Sequence, residues 1–205
     1  MLQINPVSPS SGFPSSIFYL LIATFIFILP NFSFADDKFS CTPKPPYTAP
    51  QYVEPSKQEE TSKKRLIDNK DGTITDPDSG LLWTKKNSYA DLGKCLTWQE
   101  SLDYIEQLDT ANFNDWRMPT IKELATLYDS TKENNMAWDH NPDYPLALDE
   151  KFADGSAYWF WSSDCGIVEG KRCCAKTLYF VKGLIHFRNL DHCNNGGVRA
   201  VRYLE

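Results

Sequence analysis

Histidine is scarce, with three in 205 residues (His140, His186, His192), and no two cysteines stand at Cys-x-x-Cys spacing. The usual signature of a structural zinc site is therefore absent, although His192-Cys193 beside Cys173-Cys174 raises the question. No apolar run reaches the roughly 20 residues that a membrane helix needs. Positive charge is not in excess either: the formal net charge is −6, which argues against a broad polyanion or nucleic-acid binder. An EF-type calcium loop is missing too. Counted from Asp68, position 3 is Lys70 and Gly72 falls at position 5, where such a loop wants a ligand.

The stretch nearest to a membrane span, SIFYLLIATFIFILP, is followed by Asn-Phe-Ser-Phe-Ala, a small-x-small ending. This is the layout of a secretory signal peptide over residues 1–35, cut after Ala35, although no Lys or Arg precedes the apolar run. No stable membrane span is expected once it is removed. Residues 36–64 are rich in Pro, Lys, Glu and Ser and poor in large aliphatics, which reads as a flexible tether. Residues 65–205 form one domain of ordinary size.

All six cysteines (Cys41, Cys95, Cys165, Cys173, Cys174, Cys193) follow the signal, and an even number in an exported chain points to disulfides. Spacing does not choose among the connectivities. The last four are expected to staple neighbouring loops. Cys173 and Cys174 would face opposite sides of a strand and so each pair elsewhere.

Short strand-like runs flank Asp71-Gly72, a hairpin signal, and Leu81–Thr84 forms a third strand. Thr97-Trp98-Gln99-Glu100 and Thr120-Ile121-Lys122-Glu123 are capping boxes that open two amphipathic helices. The first carries Trp98, Leu102, Ile105 and Leu108 on one face and should end near Asp109; the second carries Ile121, Leu124 and Leu127. Between them lies FNDWRMPTIKEL (113–124). Its Asp-Trp-Arg looks reactive, but no base and orienter stand nearby, and it reads as an architectural clip. Trp116 and Met118 would pack beneath the helices, Pro119 would direct the chain into Thr120, and Arg117 would pair with a helix carboxylate such as Glu123. Residues 130–155 read as a long loop, followed by the aromatic strand Tyr158–Ser163, a hairpin of Lys176–Lys182 and Leu184–Arg188 about Gly183, and a closing strand Val198–Tyr203. The fold class is α+β: two helices packed on short twisted antiparallel strands, with disulfide-stapled loops.

Several of these stretches resemble the bacterial domain of unknown function numbered 1566, also called the C-terminal domain of the Legionella collagen-like protein. They are Asp71–Asp76 with Gly80-Leu81-Leu82-Trp83, Asp115–Thr120 with Glu123-Leu124, Trp161-Ser162-Ser163, and Val198–Arg202. The resemblance spans 65–205 in order. It implies a C-type-lectin-like fold, akin to formylglycine-generating enzymes, and a secreted or surface-exposed binding module. It makes Trp83, Trp116, Arg117, Pro119, Thr120, Glu123, Trp161, Arg199 and Arg202 structural motif residues. The namesake adheres to sulfated glycans; this chain lacks its Gly-X-Y repeat and adds a cysteine cluster. The Glu-Pro-Asn signature of calcium-dependent lectins is missing, and the chain is too short for a formylglycine-generating enzyme.

Charge singles out a binding surface. Residues 65–164 hold nine Lys/Arg against nineteen Asp/Glu (net −10), whereas 165–205 hold seven against three (net +4). Lys171, Arg172, Lys182, His186 and Arg188 are the candidate ligand-binding residues, with Tyr158, Trp159 and Trp161 as stacking surface. Arg grips sulfate or carboxylate with paired N–H donors. The expected protein is an exported adhesin or binding module, periplasmic, cell-surface or secreted, without catalytic residues, metal or cofactor. Its expected partner is an anionic glycan or a cell-surface protein. A subunit of an envelope or pilus assembly is the alternative, and the oligomeric state is left open.

Overall fold

The computed structural model describes residues 39, 41–44, 51–53, 66–134 and 137–205; the expected signal peptide and most of the expected tether lie outside them. In chain order the strands are β1 (Thr42–Pro43), β2 (Gln51–Tyr52), β3 (Ile67–Asp68), β4 (Thr73–Asp76) and β5 (Leu81–Thr84). Helices α1 (Ser88–Leu92), α2 (Trp98–Glu106) and α3 (Ile121–Leu127) follow, with a 3-10 turn at Thr110–Asn112. Then come β6 (Trp159–Val168), β7 (Lys171–Tyr179), β8 (Leu184–Asn189), β9 (Gly196–Gly197) and β10 (Val201–Tyr203). The domain is α+β, with more strand than helix.

Two sheets carry the fold. The smaller runs β10-β5-β4-β3, so the closing strand pairs with one of the first. The larger runs β1-β6-β7-β8-β2, with β9 alongside β6. The first hairpin forms at Asn69–Gly72 as its Asp-Gly predicts. Asp68 accepts from the Lys70 backbone N–H (3.0 Å) and from the ammonium groups of Lys70 (2.7 Å) and Lys85 (2.8 Å). The carboxylate is engaged in turn chemistry.

Both capping boxes form: Thr97 with Glu100 at α2, and Thr120 with Glu123 at α3. Helix α2 stops at Glu106, about a turn short of the expected Asp109, and the chain tightens into the 3-10 turn. Helix α1, not expected from periodicity, is a five-residue turn capped by Asn87 and ended by Gly93 in the left-handed region (φ 67°). It is too short to show a hydrophobic period. Helix α3 packs on β6 and β7. Trp83, Trp98, Trp161, Phe160 and Phe180 lie fully inside. The Trp98 and Trp161 indoles donate to the Ser162 and Leu96 carbonyls (3.0 Å each), tying the entry to α2 onto β6. The closing strand is shorter than expected and Tyr203 points outward (65 % exposed), while Val198, Ala200 and Val201 are buried.

Two expectations are corrected here. Residues 41–44 and 51–53, read as tether, lie on the sheet. β1 runs parallel to β6 and β2 antiparallel to β8, and Cys41 is bonded to Cys165. Composition gave no sign of this, because an edge strand held by backbone hydrogen bonds and one disulfide needs no apolar face. The second concerns the cysteines. Cys95 pairs with Cys193, but Cys173 and Cys174 pair with each other. The β6–β7 register slips there: Gly166 faces Cys174 and Ile167 faces Arg172, so Cys173 is an extra, bulged residue. A bulge breaks the alternation of side chains and brings both sulfurs over Gly166. The last four cysteines therefore do not staple one another's loops. The two long bonds instead reach back to residues 41 and 95.

Candidate functional site

FNDWRMPTIKEL resolves into architecture. The Trp116 indole donates to the Thr110 carbonyl (3.3 Å), and Arg117 exchanges two backbone hydrogen bonds with Val201 (2.9 and 3.0 Å). The Arg117 guanidinium grips Glu123 with both terminal nitrogens (2.9 and 2.6 Å) and lies 4.5 Å over the Tyr203 ring. Glu123 is also the partner that closes the α3 capping box. Asp115 accepts from Arg202 (2.6 Å), and Arg202 lies over the Phe113 ring (3.9 Å). Pro119 offers its carbonyl to the Ser163 N–H (2.8 Å). Arg199 is fully enclosed. Its Nη1 donates to the Thr84 and Lys85 carbonyls (2.7 Å each), and its plane covers Phe152 at 4.2 Å. Desolvation pushes the Arg199 guanidinium down from its ordinary value. Three arginines of the motif regions are thus committed to holding loops together.

Beside this clip is a groove of about 640 Å³ between α2, residues 116–120 and the β6 bulge at Ser163-Asp164. Its rim carries Asp103, Glu106 and Asp164, while Arg117, the one cation among its described lining residues, is neutralised by Glu123. Such a rim repels anions.

The five candidate ligand residues are not brought together. Lys171 and Arg172 open β7; Arg172 stacks over Phe39 and Trp98 (5.8 Å to each ring). Lys182 stands in the turn at the far end of that strand, about 30 Å away at roughly 3.3 Å per residue. His186 and Arg188, however, share one face of β8. They pair with Thr177 and Ala175, two residues apart on β7, and on that face Trp159 and Trp161 pair with Tyr179 and Thr177.

Around Arg188 this face has a definite construction. The guanidinium lies 4.4 Å over the Trp159 ring, and Nη1 donates to His192 Nε2 (3.2 Å) in the neutral tautomer of that ring. Its Nε is buried without a hydrogen-bond partner, and among the described residues no carboxylate bonds to it. Burial, then the Arg188 charge, then His192, pushes the His186 imidazole below its ordinary value. Burial and Arg188 do the same to His192, against an upward pull from Asp191. Burial likewise lowers Arg188 itself. The Arg188 charge, on top of burial, thus disfavours protonation of both neighbouring imidazoles.

Trp159 is held as a plate. Its indole N–H donates to the Asn194 carbonyl (2.9 Å), and its ring lies so flat on Gly196 that a Cβ there would come within 2.0 Å of it. Asn194 and Asn195 take the left-handed region (φ 60° and 56°) that lets the loop return beneath the ring. From Arg188 a band of rings continues outward. Tyr179 lies 6.4 Å from Tyr158, whose hydroxyl donates to Asp139 (2.5 Å). Next to Asp139, Trp138 stacks on Tyr89 at 5.7 Å; Trp138 and Tyr144 are 41 % and 48 % exposed. Burial and then the Tyr144 phenol raise Tyr179 above its ordinary value. His192, Tyr144, Trp138 and Asp139 were not among the sequence candidates. The signal that could have found the loop was Asn194-Asn195-Gly196-Gly197, a turn-forming run directly after His192-Cys193.

Three disulfides of this kind form in oxidising compartments, and among the described residues no helix is long and apolar enough to cross a membrane. Fold and site define a disulfide-bonded α+β module whose properties fit an exported protein. The Lcl C-terminal domain family matches residues 72–202, and the chain belongs to that family. No curated protein matches the sequence.

Proposed function

We propose that this protein is an exported, non-catalytic adhesin or binding module that takes anionic glycans on the face built around Arg188, on a C-type-lectin-like scaffold. The observation that carries the reading is the Arg188 guanidinium. It is half-buried, backed by Trp159 and lacks a carboxylate partner among the described residues. A stacked guanidinium of this kind presents paired donors to a sulfate or carboxylate. His186 and His192 flank the same spot and add charge when protonated. The exposed rings of Trp138 and Tyr144 supply flat apolar surface of the kind that packs on sugar rings, and Asp139, held by the buried Tyr158, supplies a hydrogen-bond acceptor. The scaffold reading is supported by the pairing of the closing strand β10 with β5, near the start of the domain, and by the long irregular connection before β6. The acidic groove by α2 opposes an anion, which favours the β8 face. Lys171, Arg172 and Lys182 are assigned to long-range attraction.

The test is binding of the oxidised, signal-free chain to heparin and fucoidan across a salt series. Arg188→Gln should weaken binding at least tenfold at low salt. The triple change of Lys171, Arg172 and Lys182 to Ser should mainly flatten the salt dependence. Absence of binding by the unmodified chain at low salt would overturn the glycan reading and leave the alternative, a docking subunit of an envelope or pilus assembly.

A further inference from the structure

We propose that the Cys173–Cys174 disulfide is a thiol-exchange site, a point of reversible covalent modification by small-molecule or protein thiols, distinct in purpose from the other two bonds. The Cys41–Cys165 and Cys95–Cys193 bonds span 124 and 98 positions and close long loops. A bond between consecutive residues closes no loop beyond its own ring and removes little chain entropy, so stapling does not account for it. Covalent adjacency also makes it easy to open. Neighbouring Cα atoms are held about 3.8 Å apart by a trans peptide, and they are 3.7 Å apart here. Relaxed bridges span about 4.4–6.8 Å between Cα atoms, and bridges outside that range are more reducible.

Access and charge point the same way. Cys174 is buried but Cys173 is half-exposed, two positions from the exposed Lys171 and just after the Glu169-Gly170 turn. Nearby cations stabilise thiolates and draw thiolate donors in. A donor thiolate attacks Cys173 Sγ. The Cys173–Cys174 bond breaks, and Cys174 leaves as a thiolate that takes a proton from water. A second donor thiol attacks the mixed disulfide and frees Cys173. In sum, two donor thiols are oxidised to one disulfide, and the protein gains two electrons and two protons.

Opening also has a structural consequence. The bonded sulfurs lie so closely over Gly166 that a Cβ there would meet Cys174 Sγ at 2.8 Å and Cys173 Sγ at 3.4 Å. Two unbonded sulfurs need more separation than two bonded ones, and the space above Gly166 is already filled. Reduction therefore shifts the bulge and loosens the β6–β7 pairing between residues 165 and 175.

The test is a glutathione titration of the oxidised, signal-free chain, quenched with acid, alkylated and mapped by peptide mass spectrometry. Cys173 and Cys174 should be alkylated together at a thiol concentration at least tenfold below that which exposes Cys41, Cys95, Cys165 or Cys193. Amide exchange at residues 165–168 should rise in the selectively reduced protein and fall again on reoxidation. Simultaneous opening of all three bonds, or opening of 173–174 last, would overturn the proposal, as would unchanged exchange at 165–168. The wild-type map stands whether or not a Cys173→Ser/Cys174→Ser variant folds; if that variant folds and still labels at low thiol, the proposal also fails.

Discussion

Arg188 and Arg199 both lie against aromatic rings, yet their remaining donors meet different surroundings. Arg199 is enclosed, and its Nη1 is held by two carbonyls. Arg188 gives one hydrogen bond to a neutral histidine and shares its face with a second imidazole that it pushes toward the neutral form. That arrangement sets a pH dependence. The folded-state pKa values of His186 and His192 are depressed, so both rings are largely neutral at pH 7. A bound sulfate favours their charged forms. Binding should therefore strengthen as pH falls from 7.5 toward 5.5, with proton uptake on association, since the sulfate itself does not titrate in that window. Isothermal titration in two buffers of different ionisation enthalpy reads this directly. The double change of His186 and His192 to Gln should abolish the proton uptake. Gly196 gives a second residue-scale prediction. A methyl at Gly196 would collide with the Trp159 ring at 2.0–2.3 Å. Gly196→Ala should lower stability by about 1–3 kcal/mol, the usual penalty for overpacking, and should weaken glycan binding by tilting the plate under Arg188. Urea unfolding and the heparin assay together check it; wild-type stability in the variant would show that the ring is not fixed.

At the scale of elements, α3 depends on Glu123 serving two partners. Burial works to raise its carboxyl, but the Arg117 guanidinium and the Thr120 backbone and hydroxyl outweigh it and hold Glu123 below its ordinary value. A depressed carboxylate contributes stability above its unfolded pKa, and that contribution is lost as pH falls through the folded value. Wild-type stability should thus fall as pH drops below about 4.3, and Glu123→Gln should be less stable at pH 7 but show a shallower acid limb. A denaturant series at several pH values decides, and parallel limbs would remove Glu123 from the account. These elements were the part legible in sequence. Thr-x-x-Glu, Asp-Gly and the Pro before Thr120 are local signals, and the hydrogen bonds they predict close within six residues. The missed elements lack local signals. Helix α1, at five residues, is too short for a hydrophobic period to repeat, and β1 and β2 are polar edge strands defined only by their partners.

For the whole molecule, the long disulfides set stability. Cys95–Cys193 ties the loop before α2 to the loop that carries His192 and the Trp159 plate. Closing a loop of that size is worth about 4–5 kcal/mol in the chain-entropy account. The double change of Cys95 and Cys193 to Ala should therefore cost several kcal/mol in chemical unfolding and also reduce binding at Arg188. The corresponding change at Cys173 and Cys174 should lower stability by much less. Equal losses would mean that loop closure is not what the long bond contributes.

The α+β class, the two capped helices, the Asp-Gly hairpin, the Arg117 clip and the family are legible in the order of residues alone. Each rests on residues near one another in the chain or on a motif read in order. Which cysteines meet depends on strand register in three dimensions, because a single bulge at Cys173 reverses the facing of a neighbour. Strand pairing also decides which cations stand together. Charge counted along 165–205 gathers Lys171, Arg172 and Lys182 with Arg188, but a strand about 30 Å long separates its ends. The pairing of β7 with β8, and the return of the Asn194–Gly197 loop beneath Trp159, place His186, His192 and Arg188 on one face with the tyrosines.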